Sequence, residues 1–112
     1  MELDSVGNVV AFRRFYVEGD PSKDVTVKLG HPQKFPDSPD AEDCFCPYQI
    51  TGIGEERVRY AAGVDPFQAI ELTFKIIGAD LFRLNKQLGG KLRWGCDERG
   101  GLGFPVPSPT ED

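Results

Sequence analysis

The chain has 112 residues, enough for one domain with a single ordinary core. Its formal net charge of −5 opposes non-specific nucleic-acid binding, which depends on cationic side chains, and suits a soluble protein with a basic or neutral partner. The first residues lack both a cationic start and an apolar run, so we expect no signal peptide, no membrane span and a cytoplasmic location.

Two pairs of segments predict two β-hairpins. Residues 8 to 18 and 24 to 29 are rich in β-branched and aromatic side chains around a turn, and residues 30 to 43 predict a proline-rich acidic surface loop. CFCPYQIT (44–51) and RVRYAAGV (57–64) predict the second hairpin. Alternation places on one side of it Cys46, Tyr48, Ile50, Val58, Tyr60 and Ala62, with polar residues on the other side.

Residues 64 to 89 predict one long helix. Asp65 suits the N-cap and Gln68 can close a capping box, while Gly89 and Gly90 suit a left-handed C-terminal cap. Gly78 lies in the middle of the helix, where its cost of about 1 kcal/mol relative to alanine predicts a kink or a close contact.

The helix carries two apolar stripes, so we expect it to be covered on two sides. The first stripe, which needs a core, comprises Phe67, Ile70, Phe74, Ile77, Leu81, Leu84 and Leu88. The second, on nearly the opposite side, comprises Ala69, Leu72, Ile76 and Ala79. Its cover is either the chain's own tail, through Leu102, Phe104 and Val106, or the same helix of a second subunit. We hypothesise a homodimer.

These elements predict an α+β fold in which one long helix packs across one face of a mostly antiparallel sheet of four to five strands. KLRWG (91–95) is the candidate fifth strand. Residues 1–95 form the single domain, and the Gly- and Pro-rich residues 96–112 form a tail that can dock on it.

Three cysteines and the only histidine have the ligand count of a zinc site: Cys44, Cys46, Cys96 and His31. Their spacing is wrong, because Cys44 and Cys46 lie two apart in a strand and not in a Cys-x-x-Cys turn. We therefore expect buried thiols in a reducing compartment, with a redox thiol as the remaining alternative, and predict no metal and no cofactor.

The side chains of Arg57 and Arg59 are predicted to project from the outer sheet face, beside those of Thr26, Lys28, Gln49 and Thr51. Such a patch can recognise a phosphate, a carboxylate or an acidic protein segment, although a solvated face with cross-strand pairs is the more common meaning. We find no clear aromatic pair on this face, so nucleic acid is the third choice.

Trp94 either anchors a partner or, more commonly, closes the end of the core. Glu55 and Glu56 indicate a solvated turn. The chain has no P-loop, nucleophile elbow or HExxH helix, so we predict no catalytic residues.

The stretch CPYQITGIGEERVRYAAGVDPFQAIEL resembles a small, mainly bacterial family of uncharacterised domains. The resemblance rests on the strand start Cys46, Pro47 and Tyr48, on the VRYAAGVD segment, and on a late LRW near a Gly-Phe-Pro, and it covers the last two-thirds of the chain. It implies an α+β fold and a bacterial cytosolic origin, and no activity.

The sequence favours a non-catalytic protein-binding domain, a small regulatory or immunity-type partner that covers another protein or its own second subunit. The candidate partner-binding residues are Arg57, Arg59, Trp94, Leu72 and Ile76. The alternative is a small-molecule-binding or enzymatic domain with a pocket between sheet and helix, whose walls would include Tyr48, Tyr60, Arg57 and the cysteines.

Overall fold

The structure is a computed structural model that describes residues 1–38, 40–95 and 101–106. One helix packs across one face of an open antiparallel sheet, which confirms the predicted α+β class. In chain order the elements are β1 (Val9–Val17), β2 (Asp20–Gly30), β3 (Gln33–Lys34), β4 (Cys44–Thr51), β5 (Arg59–Gly63), α1 (Pro66–Gln87) and β6 (Leu92–Arg93). The additional strand, β3, lies in the segment predicted to be a loop.

The sheet order is β3-β4-β2-β1-β6, and β5 pairs with β4. Both predicted hairpins are present, as β1 with β2 and as β4 with β5, and each strand pair is antiparallel. β2 and β3 both pair with β4, so the chain between them stays beside the sheet. α1 covers one face, which we call the inner face, and the opposite face is the outer face.

The start of α1 is set by the side chain predicted to cap it. Asp65 Oδ1 accepts a hydrogen bond from the backbone N–H of Gln68 at 2.8 Å. The Gln68 side chain accepts from the N–H of Val64, also at 2.8 Å, one residue earlier than in a standard capping box. Gly89 and Gly90 follow the helix with φ of 68° and 77°, the left-handed conformation expected there.

The first stripe is only partly the core face of α1. Ile77, Leu81 and Leu84 are buried against the sheet, as predicted. Phe67 is 86% exposed and Phe74 is 38% exposed, so their assignment to the core was wrong. Thr73 is fully buried instead, and its hydroxyl lies 2.7 Å from the carbonyl oxygen of Ala69, which satisfies a polar group inside the core.

The second stripe does not form a separate surface. Ala69 is fully buried in the core of its own chain, because β5 approaches so closely at Gly63 that a Cβ there would overlap the Ala69 backbone. Leu72 and Ile76 are half-buried beside this contact, and Ala79 is exposed. The sheet of the same chain therefore reaches this stripe at Ala69, contrary to the prediction.

The described part of the tail, residues 101–106, lies along α1. The carbonyl of Pro105 rests on Gly78, which is the close contact that a glycine at this position predicts. Phe104 packs against Phe74 with 6.0 Å between ring centroids. This face of α1 is distinct from the one that carries Leu72 and Ile76, so residues 101–106 do not cover the second stripe.

Candidate functional site

A cleft of about 450 Å³ opens between the second half of α1 and strands β4 and β5. Its floor is apolar and consists of Ile50, Ile53 and Leu84, all of them buried residues of the core. Its walls are charged and comprise Glu55, Glu56, Arg57, Arg59, Asp80 and Arg83, and Tyr48 completes the lining beside them. The volume lies within the range of small-ligand sites, although this lining is more highly charged than most such sites are.

Asp80 of α1 is the centre of the polar network in this cleft. Its carboxylate, only 13% exposed, accepts the Tyr48 hydroxyl at 2.5 Å and Arg59 Nη1 at 3.0 and 3.1 Å. Arg83 Nη2 lies 3.6 Å away, three residues further along the helix. One carboxylate thus binds a phenol and two guanidinium groups.

The pKa of Tyr48 is raised above its ordinary value. Burial is the largest cause, because it disfavours the phenolate, and the hydrogen bond to Asp80 acts in the same direction. The positive charges of Arg59 and Arg83 lower the pKa and offset only part of this rise. Tyr48 is therefore a fixed hydrogen-bond donor at neutral pH.

The register of β4 and β5 brings Arg59 to the cleft. Arg59 pairs directly with Tyr48, and paired residues share a face, so Arg59 lies on the inner face. The prediction that Arg59 projects from the outer face was wrong, because the residues of β5 that face inward were assigned one position out of step. The same error affects Tyr60, which lies on the outer face in an aromatic cluster with Phe35 and Phe45.

Arg57 precedes β5 and lies on the exposed rim of the cleft. Within the described ranges it forms no ion pair. The turn beside it is held by Gln49, whose Nε2 donates to the main-chain oxygen of Glu56 at 2.7 Å. Of the predicted pocket walls, Tyr48 and Arg57 line the cleft, whereas Tyr60 and the two described cysteines do not.

The outer face of the sheet exposes large apolar side chains along β1. Val9, Phe12 and Tyr16 are 47%, 63% and 49% exposed on this face, and Val10, which has no partner in the register, is 57% exposed. The register shifts between Val9 and Ala11, and this irregularity places Val9 on the same face as Phe12. The expectation that this face lacks a pair of aromatic side chains was wrong.

Cations accompany the aromatic side chains on this outer face. The guanidinium carbon of Arg14 lies 5.4 Å from the centroid of the Phe12 ring. Lys28 pairs with Phe12 across the two strands, and Thr26 pairs with Arg14. Thr26, Lys28, Gln49 and Thr51 therefore share a face as predicted, with Arg14 in the place expected for Arg57 and Arg59.

Trp94 packs against the core at the end of the sheet, where it is half-buried. The guanidinium carbon of Arg13 lies 4.0 Å from the Trp94 ring centroid and 4.9 Å from that of Phe104. Arg13 Nη1 also donates to the carbonyl of Gly103 at 2.9 Å. Arg13, which the sequence analysis missed, thus joins Trp94 to the tail.

Cys44 and Cys46 are buried free thiols, as expected from their strand positions. Burial raises the pKa of Cys46, and its hydrogen bond with Thr73 offsets part of the rise. Cys96, the third cysteine of the considered zinc set, lies outside the described residues. Within the described ranges, no three His, Cys, Asp or Glu side chains form a group that can hold a metal ion.

Asp80, Arg83, Phe12 and Tyr16 were not among the predicted site residues. The i, i+3 spacing of Asp80 and Arg83 predicts an ion pair on the helix surface. Only the sheet register reveals that Tyr48 and Arg59 lie side by side next to this pair. For Phe12 and Tyr16 the available signal is their spacing of four in a strand, which puts both on one face.

In the described part of the chain, no helix has the length and apolar character needed to cross a membrane. Neither curated proteins nor solved structures provide a match to this chain. A family model described as a domain of unknown function, DUF6968, matches residues 11–106. The match spans β1 through the docked tail segment, and the chain therefore belongs to this family of uncharacterised domains.

Proposed function

We propose that the chain is a non-catalytic protein-binding domain, a regulatory or immunity-type partner that acts in the cytoplasm by covering another protein. The observation that carries this proposal is the exposed outer face of β1. Val9, Phe12 and Tyr16 are about half exposed or more on this face, whereas Phe15 and Val17, on the other face of the same strand, are buried in the core. Clustered exposed apolar residues of this kind commonly mark interaction surfaces.

Phe12 and Tyr16 supply the main binding free energy of the proposed interface. Full burial of a large apolar side chain contributes about 1.5–3 kcal/mol, and aromatic side chains are over-represented among interface hot spots. Arg14 lies between them in sequence on the same face and is a second preferred hot-spot residue type. A flat surface with these anchors suits a protein partner better than a small molecule.

The charges on the outer face favour a different protein over a second copy. The shallow depression beside Phe12 is lined by the cations Arg14 and Lys28 and by one carboxylate, Asp24, which leaves a net positive charge. Two copies that met through this face would bring like charges together. The partner surface is therefore apolar with acidic groups, in contrast to the basic or neutral partner expected from the whole-chain charge.

The test is co-expression with the product of a neighbouring reading frame, followed by purification through a tag on this chain. Phe12→Ser combined with Tyr16→Ser should abolish recovery of the partner. Phe67→Ser is the matched control, because it removes an aromatic side chain that is 86% exposed on another surface. Equal recovery of the partner by the wild type, the double variant and Phe67→Ser would contradict the assignment of the interface to the outer face.

Light scattering of the purified chain tests the second-subunit alternative, in which Leu72 and Ile76 of two helices meet. A dimer that Leu72→Glu converts into a folded monomer would identify a second copy as the partner. Binding of RNA by the wild type that is lost in the Phe12 and Tyr16 variant would instead assign the face to nucleic acid, against the net charge of −5.

A further inference from the structure

We infer that the cleft between α1 and strands β4 and β5 binds a small organic oxyanion, a carboxylate or a phosphate monoester on an apolar body. This site lies on the inner side of the sheet, between strand and helix residues such as Tyr48 and Asp80. It is therefore separate from the outer face that carries Phe12 and Tyr16, and the inference does not depend on the proposed protein partner.

Two guanidinium groups share a single carboxylate on the inner wall of the cleft. Arg59 and Arg83 both pair with Asp80, which leaves this inner group with one net positive charge. Arg57 adds a third guanidinium to the wall and forms no ion pair within the described ranges. Glu55 and Glu56 bring the whole lining to three cations and three carboxylates, so an oxyanion is attracted where it lies nearer to the guanidinium groups than to these glutamates.

The guanidinium groups of the cleft keep N–H donors that Asp80 does not use. A guanidinium has five N–H donors in a rigid fork, and an oxyanion accepts two of them in parallel. Arg59 donates to Asp80 through Nη1 alone, and the Arg83 contact is through Nη2. The remaining N–H groups of both side chains, with those of Arg57, can therefore bind a ligand.

Hydrogen bonds hold part of the charged wall in place before any ligand binds. Tyr48 is buried in the core and its hydroxyl donates to Asp80, so the carboxylate is fixed by a rigid strand residue. Asp80 in turn fixes Arg59 through two hydrogen bonds. A guanidinium held in place before binding loses less conformational entropy when the ligand arrives.

The floor of the cleft sets the other half of the ligand chemistry. Ile50, Ile53 and Leu84 form an apolar surface, and a volume of about 450 Å³ lies within the range of small-molecule sites. An inorganic anion would leave this surface in contact with water. The site therefore favours a ligand in which the oxyanion is attached to a hydrocarbon or aromatic group.

Glu55 and Glu56 oppose an anion, and their position limits that effect. Both line the rim and are exposed, so solvent and salt screen their charge, as they also screen the charges of the exposed Arg57 and Arg83. Their presence provides a sensitive test, since Glu55→Gln combined with Glu56→Gln should tighten oxyanion binding. The same change would lower the affinity for a ligand that carries a cationic group.

The experiment is an NMR titration of the full chain with benzoate, phenyl phosphate and benzyl alcohol at low ionic strength. We expect the two anions to shift the amide signals of β4, β5 and the second half of α1, and the neutral alcohol to bind at least about tenfold more weakly, the loss expected from a missing charge-assisted contact. The stronger of the two anions identifies the headgroup. Absence of binding by both at millimolar concentration, or equal binding of the alcohol, would overturn the inference.

Arg57→Gln and Arg83→Gln are the decisive variants, because both side chains lie on the exposed rim and their loss leaves the Tyr48–Asp80–Arg59 contacts in place. Each substitution should lower the affinity for the more tightly bound of the two anions by about tenfold. Arg14→Gln is the matched control on the outer face and should leave the affinity unchanged, as should Phe12→Ser. Unchanged affinity in both cleft variants would also overturn the inference.

Discussion

The main-chain oxygen of Pro105 lies directly over Gly78 in the middle of α1, so near that a Cβ at position 78 cannot be accommodated. This contact positions the tail segment 101–106 along the helix. Phe104 packs beside it on Phe74, and Arg13 joins the segment to Trp94. The glycine, unfavourable for the helix itself, is therefore explained by the close approach of a second backbone.

Gly78→Ala should displace the tail and leave the helix folded. Alanine favours the helix by about 1 kcal/mol, whereas its methyl group would overlap the Pro105 carbonyl. We expect the NMR signals of residues 101–106 to move toward random-coil positions and the helix signal in circular dichroism to remain.

Truncation after Gly95 supplies the control for that change. Without the tail, Gly78→Ala should stabilise the chain by about 1 kcal/mol, because only the helix propensity remains. If the substitution is destabilising in the truncated chain as well, the tail contact is not the reason for the glycine.

Arg13→Met should weaken the attachment of the tail at its other end. Methionine retains much of the apolar stem but loses the hydrogen bond to Gly103 and the cation–π contacts with Trp94 and Phe104. We expect a change in Trp94 fluorescence and a loss of stability of about 1 kcal/mol in denaturant titration. Arg14→Met on the outer face is the matched control, and an equal effect of the two changes would contradict this role of Arg13.

Asp65→Ala should destabilise the chain by about 1 kcal/mol without moving the helix boundaries, since it leaves the N–H of Gln68 without its acceptor. Asp65→Ser should retain most of the stability, because serine also accepts a hydrogen bond at the N-cap. Urea titrations of the three proteins measure both effects. Equal stability of the alanine variant and the wild type would mean that this cap contributes nothing to folding.

Local signals predicted most of the fold. The cap at Asp65, the glycines after α1 and the alternation of Cys46, Tyr48 and Ile50 depend on nearest neighbours, and each is present in the structure. Such features follow from hydrogen bonding and pleating within one short segment.

The candidate site depends on relationships that one segment does not contain. The alternation of Val58, Arg59 and Tyr60 is compatible with Arg59 on either face of the sheet. Only the pairing of Arg59 with Tyr48 decides that the arginine faces α1. The exposure of Phe67 likewise depends on which parts of the fold lie beside the first turn of the helix. Register and the extent of the sheet are tertiary properties, so the spacing of residues alone predicted the wrong face.

Tyr48→Phe should reduce stability at neutral pH by about 1 kcal/mol, because the change removes the hydroxyl that donates to Asp80 and keeps the buried ring. Tyr16→Phe, at an exposed tyrosine on the outer face, is the matched control and should have little effect.

The stability difference between wild type and Tyr48→Phe should also depend on pH. Folding raises the pKa of Tyr48 above its ordinary value of 10.0, so in alkaline solution the folded chain retains a proton that the unfolded chain has lost. The contribution of this hydroxyl is therefore complete below about pH 9 and declines as the pH rises through 10 and beyond, until the folded tyrosine itself ionises. Urea titrations in steps from neutral to alkaline pH should show the wild type lose stability relative to Tyr48→Phe as the pH rises, whereas a constant difference would mean that the Tyr48 proton is held no more tightly in the folded state.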